Sequence, residues 1–173
     1  MVWRVEALAL PPLSLPCARC ARTSLFHCTE KFRVNANGGL LDVWLLYRCQ
    51  ECAEVHKARV QRRVPARSLS RELLASYQGD DAALVRACAF ELARGAEAPC
   101  RVLRAPLPEA GGFVARIRQP EPCGLRWDRL LARELAWSRS RVLREAACGA
   151  LRVNSASDVH RVVADGDTLT CAR

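Results

Sequence analysis

Cys17-Ala18-Arg19-Cys20 and, 28 residues later, Cys49-Gln50-Glu51-Cys52 are the stretches whose reading decides the fold of the first part of this chain. A Cys-x-x-Cys turn brings two sulfurs onto one ion, and a second turn completes a four-sulfur tetrahedron. The residues between the pairs read as a β-hairpin. In 24–35, Phe26, Cys28, Phe32 and Val34 share one face at period two. Asn37-Gly38-Gly39 is a turn signal, because Asn and Gly tolerate positive φ. Residues 40–48 then return to the second pair. Two knuckles joined by a hairpin predict a zinc-ribbon-like unit, with Cys17, Cys20, Cys49 and Cys52 as ligands of a structural zinc. A sheet this small has little core, and structural zinc supplies on the order of 10 kcal/mol to such folds. His27, Cys28 and His56 lie close enough in sequence to stand in for one cysteine. A redox pair of Cys-x-x-Cys motifs, or plain buried thiols, is the competing reading of the same residues.

The chain has 173 residues, 27 basic and 18 acidic, for a net charge of +9. The surplus sits at the two ends: +6 over residues 1–67, zero over 68–122 and +3 over 123–173. A basic balance suits a polyanion such as nucleic acid, although 25 of the basic residues are Arg, a bias that coding composition can also produce. Ten cysteines suggest either a disulfide framework or metal ligands. Residues 1–16 carry Glu6 and Pro11-Pro12 within their apolar part and offer no small-residue cleavage site, so no secretory signal is expected. With no apolar run near ~20 residues, a cytoplasmic protein with reduced thiols is expected, and metal binding is favoured.

Lys57, Arg59, Arg62, Arg63 and Arg67 follow the second knuckle and fit either a phosphate-tracking stretch or a solvated edge strand. Residues 68–95 read as helical, with Ser70 capping one segment and Asp80 or Asp81 the next; Cys88 reads as a core thiol. Two β-rich pieces, 101–104 and 113–118, are split by Pro106, Pro108 and Gly111-Gly112. The predicted organisation is α+β: a zinc-ribbon-like domain over 1–67, a helical and β connecting segment over 68–122, and a helix-helix-strand module over 123–173.

In that last segment Trp127, Leu130, Leu131 and Leu135 form an apolar side, with Arg126, Arg129 and Arg133 in one neighbouring stripe. Ser138 or Ser140 caps a second helix ending at Gly149; 151–154 and 168–171 read as strands around the turn Asp165-Gly166-Asp167. The order Arg126-x-Asp128-x-x-Leu131, Ser138-Arg139-Ser140-Arg141, Gly149-x-x-x-Val153-Asn154 and Asp167 resembles the small RNA-binding module named for ribosomal protein S-four. Trp127 and Ser155 depart from its usual Leu and Gly. The resemblance implies a basic face for structured RNA, ribosomal or transfer, carried by Arg126, Arg129, Arg133, Ser138, Arg139, Arg141, Arg144 and Asn154.

The front half has a second likeness. The knuckles, Lys31-Phe32-Arg33-Val34-Asn35-Ala36-Asn37 and Leu41-Asp42-Val43-Trp44-Leu45-Leu46-Tyr47 together resemble the bacterial domain-of-unknown-function 1062 family. That likeness extends over most of the chain and implies a zinc-ribbon-like start, a bacterial cytoplasmic protein and no particular activity.

The leading expectation is therefore a zinc-containing RNA-binding protein. A protein-interaction adaptor is the alternative, and a thiol redox switch is the third. An enzyme is least supported. There is no Gly-rich phosphate loop, no nucleophile with its base, and His27, His56 and His160 lack an evident partner. No small-molecule substrate or membrane contact is indicated.

Overall fold

The computed structural model describes residues 1–172. In chain order the elements are β1 (Val2–Ala7), β2 (Leu13–Cys17), β3 (Arg22–Asn37), β4 (Leu40–Cys49), β5 (Val55–Pro65), α1 (Arg71–Gln78), α2 (Ala82–Leu92), β6 (Cys100–Leu103), β7 (Phe113–Arg118), α3 (Trp127–Glu134), α4 (Arg139–Ala147), β8 (Leu151–Val153) and β9 (Thr168–Cys171). They form two compact units: Leu10–Ala96, and Met1–Ala9 together with the chain from Glu97 onward.

The Leu10–Ala96 unit is an antiparallel meander, β2-β3-β4-β5, with α1 and α2 on one face. Strict alternation along β4 builds that face: Leu41, Val43, Leu45, Tyr47 and Cys49 are buried while Leu40, Asp42, Trp44, Leu46 and Arg48 point the other way. Val85 and Ala89 of α2 join Phe26, Leu45, Tyr47 and Ala58 in one apolar cluster. Tyr77 of α1 meets Phe32 edge-on at 5.0 Å. The hairpin turns at Gly38 and Gly39, whose φ values of +58° and +79° suit residues without a Cβ.

Between Cys28 and Phe32, β3 carries a bulge, with Glu30 at φ +59°. Asp80 secures it. Its carboxylate accepts from the Phe32 N–H at 2.7 Å and from Lys31 Nζ at 2.9 Å. Asp81, not Asp80, caps α2 by accepting from the Leu84 N–H at 2.8 Å.

The other unit is built on the sheet order β6-β1-β7-β9-β8, in which β1 runs parallel to β7 and the remaining pairs are antiparallel. Its core joins Trp3 and Val5 of β1 to Phe113, Ala115 and Ile117 of β7, and to Trp127, Leu130 and Leu131 of α3. Trp3 stacks on Phe113 at 5.9 Å.

These units cut across the three segments expected from sequence. The expected 1–67 domain splits: β1 joins the sheet completed by the C-terminal half, and β2 leads into the first knuckle. The expected connecting segment divides too, because α1 and α2 bury against the meander while β6 and β7 complete the second sheet. The reason is tertiary. Trp3 and Val5 need an apolar partner that residues 10–67 do not supply to them, and β7 supplies it.

Candidate metal centre

Both Cys-x-x-Cys pairs lie at the same end of the meander, one on the β2–β3 turn and one on the β4–β5 turn. Ala21 at φ +53° and Ala53 at φ +60° close the two turns. The Ala53 N–H donates to the Cys49 carbonyl at 3.0 Å, and the Gln50 N–H ties the second knuckle to Leu25 of β3 at 3.0 Å. The four sulfurs lie within 4.8 Å of one another, close enough to hold a metal ion. Sγ of Cys17 is 3.5 Å from Cys52, and Sγ of Cys20 is 3.9 Å from Cys49. A tetrahedron with metal–sulfur bonds of ~2.3 Å has edges of ~3.8 Å, so the thiols already stand at ligand spacing.

The second turn also prepares one of the sulfurs electrically. N–H groups of Cys52 and Glu51 point at Cys49 and bring its thiol down to about 6. Cys20 moves the other way, to about 12, because it shares a hydrogen bond with Cys52 and is partly desolvated among the neighbouring sulfurs. Cys17 and Cys49 are buried, Cys20 and Cys52 half-buried. The Arg22–Glu51 ion pair links the two knuckles.

None of the three candidate substitutes belongs to this group. His27 is exposed beside Gln50, with 3.5 Å between Nε2 and Oε1. His56 packs edge-on against Phe26 at 5.9 Å. Cys28 accepts from the Glu30 N–H at 3.4 Å, and burial pushes its thiol up.

The eight residues expected to face RNA all lie in the other unit, and most have intramolecular partners. Asp128 on α3 is fully buried; it receives Arg139 Nη2 at 2.5 Å, the Arg129 N–H at 3.0 Å and the Arg126 guanidinium at 3.4 Å. Burial alone would raise its carboxyl, but Arg139 and Arg126 hold it below the usual carboxylate range. Arg126 also meets His160 Nδ1 at 2.6 Å. Arg129 pairs with Glu97. Arg133 pairs with Glu134 at 3.0 Å and donates to the Cys100 carbonyl at 3.1 Å. Arg141 lies over the Trp137 ring at 4.1 Å, and Arg144 is 3.5 Å from Glu145.

Ser138 caps α4, accepting from the Arg141 N–H at 3.2 Å. Asn154, at φ +51°, donates to Asp167 at 2.7 Å and accepts from the Thr168 N–H at 2.7 Å. Asp167 also accepts from Trp127 Nε1 at 3.1 Å, the Ala164 N–H at 3.0 Å and Arg161. Sequence reading singled out Asp128 and Asp167 within a motif, but not their work as acceptors binding α3, α4, β8 and β9 together.

Cross-strand register also assembles a cationic surface in the meander that sequence reading did not. Arg33 of β3 and Arg59 of β5 both stand opposite Trp44 of β4.

Residues 34–105, less than half of the chain, match the family model described as "Protein of unknown function (DUF1062)". The match takes in the second knuckle and ends after β6. No curated protein and no solved structure matches the chain. Among the described residues no helix is long and apolar enough to cross a membrane.

Proposed function

We propose that this chain is a zinc-stabilised nucleic-acid-binding protein that engages structured RNA and performs no chemistry of its own. Zinc fits the donor set: four sulfurs, two per turn, at the spacing of a closed tetrahedron. Filling all four positions with thiolates leaves no open site for a water or substrate, so the ion's role is structural. It ties β2–β3 to β4–β5 in a zinc-ribbon-like arrangement.

The α3–α4 pair followed by β8 has the helix-helix-strand order of the S-four-like resemblance. The observation that carries the RNA reading is how that pair is held. Arg126 and Arg139 pair with the buried Asp128, whereas Arg129, Arg141 and Arg144, with 51%, 49% and 72% of their side-chain surface exposed, have glutamates as their ionic partners. Exposed Arg–Glu pairs contribute little, so a phosphate that accepts two guanidinium N–H groups can displace the glutamate. Ribosomal or transfer RNA, rich in folded duplex, is the partner class.

Binding of a labelled RNA hairpin across a salt series tests this. Replacing Arg129 and Arg144 by Ala removes two phosphate contacts and flattens the log K against log salt slope by roughly 1.8. An unchanged affinity and slope would refute the assignment. A protein partner that stays bound through nuclease treatment, with no RNA retained, would put an adaptor role in its place.

A further inference from the structure

Alternation along β4 sends Trp44, Leu46 and Arg48 away from the face that packs on α1 and α2. Register across the meander sets their neighbours. Trp44 stands between Arg33 and Arg59, Leu46 is opposite Lys57, and Arg48 stands between His27 and Val55. One row further, Asn35 faces Asp42. Trp44 and Leu46 are partly exposed, whereas Arg33, Arg48, Lys57 and Arg59 are exposed.

Among the described residues none of these four cations has a carboxylate within ion-pair distance. Asp42, the carboxylate in these rows, is already occupied as acceptor for the Arg63 N–H at 3.1 Å. The face is therefore an open sheet with an indole near its centre, ringed by unneutralised positive charge. A bundle of like charges held together on a rigid sheet is unfavourable unless an anion covers it.

We propose that this face of the β2–β5 sheet binds single-stranded nucleic acid, with a base stacked on Trp44 and neighbouring phosphates held by Arg33, Arg59 and Lys57. The chemistry selects that occupant. An acidic peptide would use the cations but has no systematic need of a half-buried indole between them. An unpaired base offers a π-face to the indole while its flanking phosphates reach the guanidinium groups on the adjacent strands, ~4.8 Å to either side. Duplex is disfavoured because its bases are already stacked on one another. The inference shares with the RNA reading above its class of partner, but it uses different residues in the other unit, so either can fail alone.

The test uses the full zinc-loaded chain with fluorescein-labelled rU12 and dT12, and an RNA hairpin in parallel. Trp44→Ala is expected to weaken rU12 binding by roughly 5- to 140-fold, the range of one lost stacking contact, and to leave hairpin binding unchanged. Trp44→Phe, which keeps a ring, should recover most of the loss. Arg33→Gln with Arg59→Gln should flatten the single-strand salt slope by roughly 1.4.

Trp3 and Trp127 are fully buried and Trp137 is half-buried in the other unit, so in a Trp137→Phe background quenching of the intrinsic fluorescence by rU12 should come mainly from Trp44 and disappear when Trp44→Phe is added. If Trp44→Ala loses its metal and does not fold, the arginine pair and the quenching decide. Tighter binding of rU12 than dT12 assigns RNA; equal binding assigns either strand. Hairpin binding without binding of rU12 or dT12 overturns this inference and spares the earlier one. Single-strand affinity within twofold of wild type in both the Trp44→Ala and the arginine variants also overturns it.

Discussion

Replacing Asp167 by Ala should destabilise the unit containing α3 and α4 by about 3–4 kcal/mol at neutral pH. The magnitude follows from what the carboxylate holds. It is 6% exposed and accepts from Trp127 Nε1, Asn154 Nδ2, Arg161 and the Ala164 N–H. The Trp127 ring is fully buried, so its N–H would lose its partner where water does not reach, at a cost of about 1–3 kcal/mol. Asn154 and Arg161 lose charge-assisted bonds, each worth about 1.5 kcal/mol or more when partly buried and less for the more accessible arginine. These losses share one site and do not add fully.

Urea unfolding followed by tryptophan fluorescence in a Trp44→Phe background reports this unit, since Trp3, Trp127 and Trp137 all belong to it. The pH dependence supplies a second readout. Burial raises the Asp167 carboxyl, but the Ala164 N–H and the Asn154, Trp127 and Arg161 side chains outweigh it and hold the group below its ordinary range. A carboxylate with a depressed folded value contributes stability that is complete above its unfolded pKa of ~3.9 and fades as pH falls through the folded value. The wild type should therefore weaken from about pH 5 downward. Asp167→Asn should lack that part of the slope. A loss below about 1 kcal/mol for Asp167→Ala, or identical pH curves for wild type and Asp167→Asn, would show that this network does not hold the unit together.

Further outcomes follow from the other unit. Purified chain should carry one zinc per molecule by elemental analysis, and Cys49→Ser should abolish it; a strong chelator should unfold Leu10–Ala96 and leave the far-UV signal of the second sheet in place. Asp80→Asn removes the charge that accepts from the Phe32 N–H and Lys31, and should cost this unit about 1–2 kcal/mol by urea denaturation. The Phe32 N–H and Lys31 hold the Asp80 carboxyl below its usual range, so this contribution should also fade as pH drops below about 4, and the Asn variant should not show that loss.

The sequence by itself determined what depends on neighbours a few residues apart. The two Cys-x-x-Cys turns, the Asn37-Gly38-Gly39 reversal, the period-two face of β3 and the Ser70 cap all appear where local chemistry places them, and of the two serines offered for α4 it is Ser138 that caps. Zinc-ligand spacing is legible for the same reason, because each pair is fixed within one turn.

Only the tertiary structure decided where β1 belongs, since a parallel partner 110 or more residues away leaves no trace in its six residues. It alone separated Arg126 and Arg139, which pair with the buried Asp128, from Arg129 and Arg144, which pair with glutamates. An arginine stripe looks the same in sequence whether its charge meets a buried carboxylate or solvent. It alone placed Trp44 between Arg33 and Arg59. Those residues lie on three strands, and hydrogen-bond register, with the bulges that offset it, sets which side chains share a row.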